Sequence, residues 1–283
     1  MISILGARSL VTLRIDGVAQ QYSIVALNST SSSLVNVSGG TIELGHGPSD
    51  QGTRLWIAHK ESLAVDSYAR FQLLGKRVSY TIDLSEVGCS CNAALYWVSM
   101  PGYSPDGMPA PGNFGNYYCD ANKVGGVWCW EMDTIEANMH TMQVTPHSCS
   151  DPAGGPISSC DKSGSRRNSW FVDRKGLCPA DDCLIDSRAP FSHTQSFVAV
   201  GNTLVRIENR LEQRGRAFAF NATSNSAYLA KMSEALRQGM VLTFQLWGGS
   251  WLLMSWLDYM TLCEGVCPMS SRVVYSNISI EAL

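Results

Sequence analysis

The sequence predicts an all-β protein, built as a sandwich or a barrel. Three observations carry this expectation. Short apolar runs rich in Val, Ile, Phe, Tyr and Trp recur along the chain. Many alternate with polar residues, as in Val78-Ser79-Tyr80-Thr81-Ile82-Asp83-Leu84, and clusters of Gly, Pro, Asn and Ser separate them. Alternation sends every second side chain to one face of a strand, so one face is buried. Short strands between turn clusters are the pattern of sandwiches and barrels.

In chain order, strands are expected over 10–15, 41–44, 54–58, 71–74, 78–84, 94–99, 128–133, 196–200, 203–209, 217–220, 241–247, 251–256 and 273–280. One helix is expected, capped by Ser226, with Tyr228, Leu229, Met232 and Leu236 as its apolar stripe and Gly239 as its stop. Residues 145–195 hold four cysteines, many Pro, Gly and Asp, and little periodicity, which predicts a long disulfide-pinned loop region. Between Arg237 and Asp258 there is no charge, and the length approaches the ~20 residues of a membrane span. Gly248-Gly249-Ser250 splits the stretch, so it reads as a buried β-hairpin and no membrane span is expected. The first thirteen residues lack a basic start and a long apolar core, so no signal peptide is visible.

The 283 residues are 45% hydrophobic and show no linker or repeat, so one domain over 1–283 is expected. Lys and Arg number 21 against 24 Asp and Glu, a net charge of −3, which predicts no nucleic-acid partner. Eight Trp, ten Tyr and eight Phe exclude a disordered chain. The ten cysteines are Cys89, Cys91, Cys119, Cys129, Cys149, Cys160, Cys178, Cys183, Cys263 and Cys267. An even number, widely scattered, suits disulfides in an oxidising compartment. None has the two-residue gap common among zinc ligands. Asn28, Asn36, Asn221 and Asn277 head glycosylation tripeptides, in keeping with a secreted glycoprotein. Nucleophile-elbow, P-loop, HExxH and dinucleotide motifs are absent from the sequence.

The chemistry concentrates in Glu131-Met132-Asp133-Thr134-Ile135-Glu136-Ala137-Asn138, three acids in a chain with only 16% charged residues. On a strand Glu131 and Asp133 share a face, and Glu136 is out of phase by one residue. A β-bulge before Glu136 would restore the phase. Carboxylates crowded on one face raise at least one pKa. A protonated and an ionised carboxyl side by side are what glycoside hydrolysis requires. By spacing alone, an ordinary acidic strand face or a calcium site of oxygens stays open.

This segment resembles the active-site strand of glycoside hydrolase family 7, the cellobiohydrolases and endoglucanases. The resemblance continues in Phe71-Gln72-Leu73-Leu74-Gly75, Tyr80-Thr81-Ile82-Asp83, Asn92 to Met100, Thr145-Pro146-His147-Ser148-Cys149, Gly239-Met240-Val241-Leu242, Leu246-Trp247, Trp256-Leu257-Asp258 and Val274 to Ile278. It covers about residues 53–283, and residues 1–52 diverge. It implies a curved two-sheet antiparallel β-sandwich of the jelly-roll, concanavalin-like type, and retaining, endo-acting hydrolysis of β-1,4-glucan. By resemblance Glu131 is the nucleophile, Glu136 the acid/base, and Asp133 the residue that tunes the nucleophile's charge. Asn92, Tyr96, His147, Arg174 and Asp181 match polar cleft positions, and Trp247 and Trp256 match sugar platforms. Trp56, Trp97 and Trp170 are expected in the core.

The resemblance also implies disulfides Cys119–Cys129 and Cys149–Cys178, with Cys89 and Cys91 joined to Cys263 and Cys267 in either order, which leaves Cys160 with Cys183. Ile135 stands where the family has Trp and Gly248 where it has an acid, both expected to touch the cleft. The short Cys119–Cys129 connection implies an open cleft. The expected partner is a β-glucan polysaccharide or oligosaccharide, bound by a secreted monomer with no cofactor and no metal. A non-catalytic glycan-binding or cell-wall protein on the same scaffold is the alternative.

Overall fold

A computed structural model of the chain describes residues 10–27, 33–48, 52–112, 115–261 and 263–283. Eighteen strands lie among the described residues. The first nine are β1 (Leu10–Ile15), β2 (Val18–Ala26), β3 (Val35–Ser38), β4 (Thr41–Gly45), β5 (Thr53–Ala58), β6 (Arg70–Phe71), β7 (Lys76–Glu86), β8 (Cys91–Val98) and β9 (Glu131–Asn138). The rest are β10 (Thr141–His147), β11 (Arg167–Asn168), β12 (Leu177–Cys178), β13 (Ile185–Asp186), β14 (Phe191–Val200), β15 (Thr203–Gln213), β16 (Arg216–Asn221), β17 (Met240–Gly248) and β18 (Arg272–Ala282). The all-β expectation holds. β2, β3 and β10 lie outside the runs expected from sequence, as do the two-residue strands β11, β12 and β13 within the expected loop region. The polar start of β2 (Val18-Ala19-Gln20-Gln21) and the burial of β10 on both faces leave no clean alternation to read.

Thirteen strands form one hydrogen-bonded path, β11-β10-β9-β8-β17-β5-β2-β1-β18-β7-β14-β15-β16, with β3, β4 and β6 attached off it and β12 and β13 paired separately. The path doubles back into two facing layers. Phe244 of β17 meets Tyr275 of β18 with ring centroids 5.0 Å apart, and Thr134 of β9 donates to Gln195 of β14 at 2.7 Å. Pairing along the path is antiparallel except between β1 and β18, which run parallel. Between the layers lies the main core, with Leu13, Ile24, Ile82, Trp97, Phe197 and Phe244 fully buried. Fully burying one such side chain is worth about 1.5–3 kcal/mol.

A second apolar cluster covers part of the first layer's other face. It joins Val25, Trp56, Ala94, Tyr96, Val98 and Val241 to Tyr118, Cys119 and Cys129 of the 99–129 loop. Their alternates Ile24, Leu55, Ala93, Leu95, Trp97 and Leu242 belong to the main core. Trp56 and Trp97 are both fully buried, as expected. Trp170 is not in the core: it is half-buried in the 148–190 loop, with the Arg174 guanidinium 5.2 Å from its ring centre.

Among the described residues two α-helices occur where one was expected. The first, α1 (Ser226–Gln238), is capped by Asn225, not Ser226; the Asn225 side chain accepts from the Tyr228 N–H at 3.0 Å. Such a cap contributes ~1 kcal/mol. Leu229, Met232, Ala235 and Leu236 are buried, and Gly239 ends the helix at φ +97°, where a side chain would be strained. The second, α2 (Trp251–Asp258), replaces the expected second strand of a hairpin. Gly248-Gly249 ends β17, and the Ser250 hydroxyl accepts from the Leu253 N–H. Met254, Leu257 and Asp258 are buried at positions i, i+3 and i+4, a helical stripe hidden inside a uniformly apolar run.

All ten cysteines are paired. Cys119–Cys129 forms as expected, and Cys89 joins Cys263 while Cys91 joins Cys267. The other two pairs differ from the expectation: Cys149 bonds Cys160 and Cys178 bonds Cys183. Both bridge neighbours across tight turns. Cys149 and Cys160 also face each other as an isolated β-bridge, so local geometry selects the partner. Asn36, Asn221 and Asn277 are exposed, whereas Asn28 lies outside the described residues.

Candidate active site

β9 contains the bulge that its acids require. Ile135 pairs with Leu95 but Asp133 pairs with the next residue, Tyr96, and across β10 Glu136 and Asp133 face Gln143 and Thr145. One residue of β9 is therefore extra on both sides. Thr134 and Ile135 turn together into the main core. The Thr134 hydroxyl accepts from Trp97 Nε1 at 2.9 Å while donating to Gln195, so its burial leaves no polar group unmatched. Ile135 is fully buried between the layers and does not touch the acid-bearing face, contrary to the expectation from its family counterpart. With two residues inward, Glu131, Asp133 and Glu136 share the opposite face.

Gly248 marks a close approach. A Cβ there would sit 2.3 Å from the Ser90 carbonyl and 2.8 Å from Cys267 Cβ. The Cys91–Cys267 disulfide and the 88–91 turn thus exclude a side chain, and an acid could not be accommodated in the cleft from this backbone.

The acids are held by three kinds of partner. Glu131 Oε2 accepts from the Ala121 N–H at 3.0 Å, from within the loop that Cys119–Cys129 closes. Asp133 Oδ2 meets His147 Nε2 at 2.9 Å, and His147 Nδ1 meets the Asp161 carbonyl at 2.8 Å. A carbonyl only accepts, so Nδ1 carries a proton. Burial works against charge on His147. The hydrogen bond and charge of Asp133, with Glu131 beyond, outweigh it and raise the imidazole to about 10. His147 is therefore a cation at neutral pH and donates from both nitrogens. Ligand atoms of Glu131, Asp133 and His147 lie within 4.8 Å of one another, close enough to hold a metal ion. Among these atoms the structure shows the His147–Asp133 ion pair.

Glu136 accepts from Asn92 Nδ2 at 3.0 Å and from Gln143. Burial, then the charge of Asp133, pushes Glu136 up to about 8. Glu131 is pushed well above the usual carboxyl range by burial, then by Asp133 and Asp120, while His147 and the Ala121 N–H pull it back. Asp120 is itself buried and raised by that burial. It was not singled out from sequence. An acid next to Cys119, in a chain poor in charge, was the available signal.

Asn92, Glu136 and His147 thus converge with Glu131 and Asp133. Asn92 is fully buried, and its Oδ1 has no partner among the described residues. Tyr96 lies on the same face but under the second cluster, its hydroxyl bonded to Tyr118 and Gln245. Trp247 pairs in register with Asn92, and its ring stacks on that of Trp256 at 6.2 Å and 22°. The two tryptophans form one double-layered platform and not two separate ones. Arg174 and Asp181 sit elsewhere. Both are exposed in the 148–190 loop, Arg174 over Trp170 and Asp181 bonded to Arg188.

Residues 14–128 match the model of glycosyl hydrolase family 7. Endoglucanase EG-1 of Hypocrea jecorina is 30% identical over 243 residues, which are 75% of this chain and 50% of that protein. The chain belongs to glycosyl hydrolase family 7. The family match begins well before residue 53 and stops just short of Glu131. The chain spans about half the length of that curated relative. Among solved family 7 structures, an endoglucanase I complexed with cellobiose superimposes with a TM-score of 0.76 at 19% identity, over 97% of this chain and 96% of that one. A family 7 cellobiohydrolase from Daphnia pulex gives 0.73 at 19% identity, over the same shares. The curved two-sheet β-sandwich is thus the family fold.

Proposed function

We propose that this protein is a secreted, endo-acting glycoside hydrolase that cleaves β-1,4-glucan with retention. The observation that carries this is the bulge at Thr134–Ile135, which sets Glu131, Asp133 and Glu136 on one face between Asn92 and His147. Glu136, held protonated towards pH 8, gives its proton to the leaving glycosidic oxygen. Glu131 attacks the anomeric carbon, oriented by the Ala121 N–H, and a covalent glycosyl intermediate forms. Glu136, now ionised, then takes a proton from the water that releases the sugar. The His147 cation pairs with Asp133, so the charge beside Glu131 is partly neutralised when the nucleophile must be ionised.

The Trp247–Trp256 platform offers a sugar an apolar ring face beside Asn92 and Glu136. Endo action is supported by the ten-residue span of the Cys119–Cys129 loop, too short to roof a threaded chain. Secretion is supported by five disulfides. Relatives named endoglucanase agree with this activity.

The test is product analysis on a panel of soluble β-glucans with wild type and Glu131→Gln. Wild type is expected to cut β-1,4-glucan internally, with products of retained anomeric configuration. Loss of the nucleophile lowers turnover by at least ~10³-fold. Equal activity of the two proteins would refute the assignment, and binding without hydrolysis by wild type would favour the glycan-binding alternative.

A further inference from the structure

Helix α2 turns its apolar side to solvent. Its buried positions are Met254, Leu257 and Asp258, so the only charged residue of the helix lies inside. Asp258 is held there because Oδ1 accepts from Asn138 Nδ2 at 2.6 Å and Oδ2 accepts from the Ser90 N–H at 2.7 Å. Those bonds fix the rotation of the helix. At 3.6 residues per turn, the side opposite Asp258 and Leu257 carries Leu252, and Tyr259 follows just past the end. Leu252 is 78% exposed and Tyr259 62% exposed. Trp251 lies against Tyr259, ring centroids 6.5 Å apart and planes 30° from parallel. The segment that follows adds exposed Val266 and Met269, and Cys89–Cys263 and Cys91–Cys267 tie it to the start of β8.

A contiguous exposed apolar face on a helix whose one charged residue is buried marks a binding surface. Its position identifies what binds. Trp256, on the same helix, stacks on Trp247, which is the register partner of Asn92, which in turn bonds Glu136. The face is therefore continuous, through Trp256 and Trp247, with the rim of the active site. Flat aromatic rings match the CH faces of sugar rings. Glu264 is the one charged residue among the described residues 259–270, and the rest of the face is uncharged.

We propose that the outward face of α2, centred on Leu252 and Tyr259, is an accessory platform that docks the protein onto insoluble β-glucan. This rests on the glucan reading above and adds to it a site outside the cleft. The ligand is the apolar face of a packed polysaccharide, gripped by stacking and burial and not by hydrogen bonds.

The experiment is depletion of the full chain from solution by microcrystalline cellulose, comparing wild type with the Leu252→Ser/Tyr259→Ser double variant. Both side chains are exposed, and an unchanged Tm verifies that the variant is folded. The partition onto cellulose is expected to fall roughly tenfold or more, while hydrolysis of soluble cello-oligosaccharides stays at the wild-type rate. Equal adsorption of both proteins, or no adsorption of wild type, would overturn the proposal. So would a wild-type dimer in sedimentation that the double variant abolishes, which would make the face an interface between copies. The soluble assay reads the catalytic assignment separately: wild-type adsorption that the double variant loses, without soluble hydrolysis, would retain the platform and reject the chemistry.

Discussion

At the residue scale, Glu136 couples chemistry to stability. Burial and the Asp133 charge raise it to about 8 from an unfolded-state value near 4.5. The folded protein therefore holds a proton that the unfolded chain releases, and stability falls as pH rises between those two values. Glu136→Gln keeps the shape and removes the titration. Its stability should match wild type near pH 4 and exceed it increasingly up to pH 8, by an amount on the order of a few kcal/mol, seen as a rising Tm difference. Melting curves across that range decide the matter, and a difference independent of pH would contradict the assignment. His147 acts with the same sign at higher pH. Its folded value of about 10 lies above the ordinary 6.5, so its contribution is complete below 6.5 and is lost as pH rises through 10. The three acids were legible in the sequence as a spacing. Their different environments were not, because the residues that set them, Asp120, Ala121 and Asp161, lie on two separate loops.

At the scale of elements, two features set the site: the bulge in β9 and the close contact at the end of β17. The bulge was predictable, since only an extra residue brings Glu136 into phase with Asp133. The contact at Gly248 was not, because it depends on where the 88–91 turn and Cys267 come to rest. Gly248→Ala should destabilise the fold by about 1–3 kcal/mol, visible as a lowered Tm, while leaving the β9 acids in place. An unchanged Tm would show that the turn yields at no cost. The apolar run of α2 illustrates a different limit. A short uniformly apolar segment has no period of its own to reveal, and its helical stripe becomes visible only once Met254, Leu257 and Asp258 are seen buried together.

At the scale of the whole molecule, disulfides divide the chain into parts with different anchoring. Cys89–Cys263 and Cys91–Cys267 close loops of 174 and 176 residues and join the first layer to the C-terminal segment. Cys149–Cys160 and Cys178–Cys183 close loops of 11 and 5 residues and stiffen only the 148–190 region. Longer loops lose more unfolded-state entropy when closed. Peptide mapping under non-reducing conditions should recover Cys149 with Cys160 and Cys178 with Cys183. Recovery of a Cys149–Cys178 peptide would restore the pairing implied by resemblance.

The sequence by itself determined the strand-rich class, the acid-bearing strand and its bulge, and the presence of a disulfide framework. Each is written in local order: alternation along Val78–Leu84, spacing within Glu131–Glu136, and the count of cysteines. Tertiary structure alone decided which half of the acid-bearing face is covered. Tyr96 was expected in a cleft, but Tyr118 and the 99–129 loop fold over it, while Asn92 and Trp247 remain beside Glu136. It also separated Arg174 and Asp181 from the acids. The physical reason is one of range. A period of two fixes the face to which a side chain points, but what covers that face comes from residues distant in the chain, and their approach is decided by the packing of the whole.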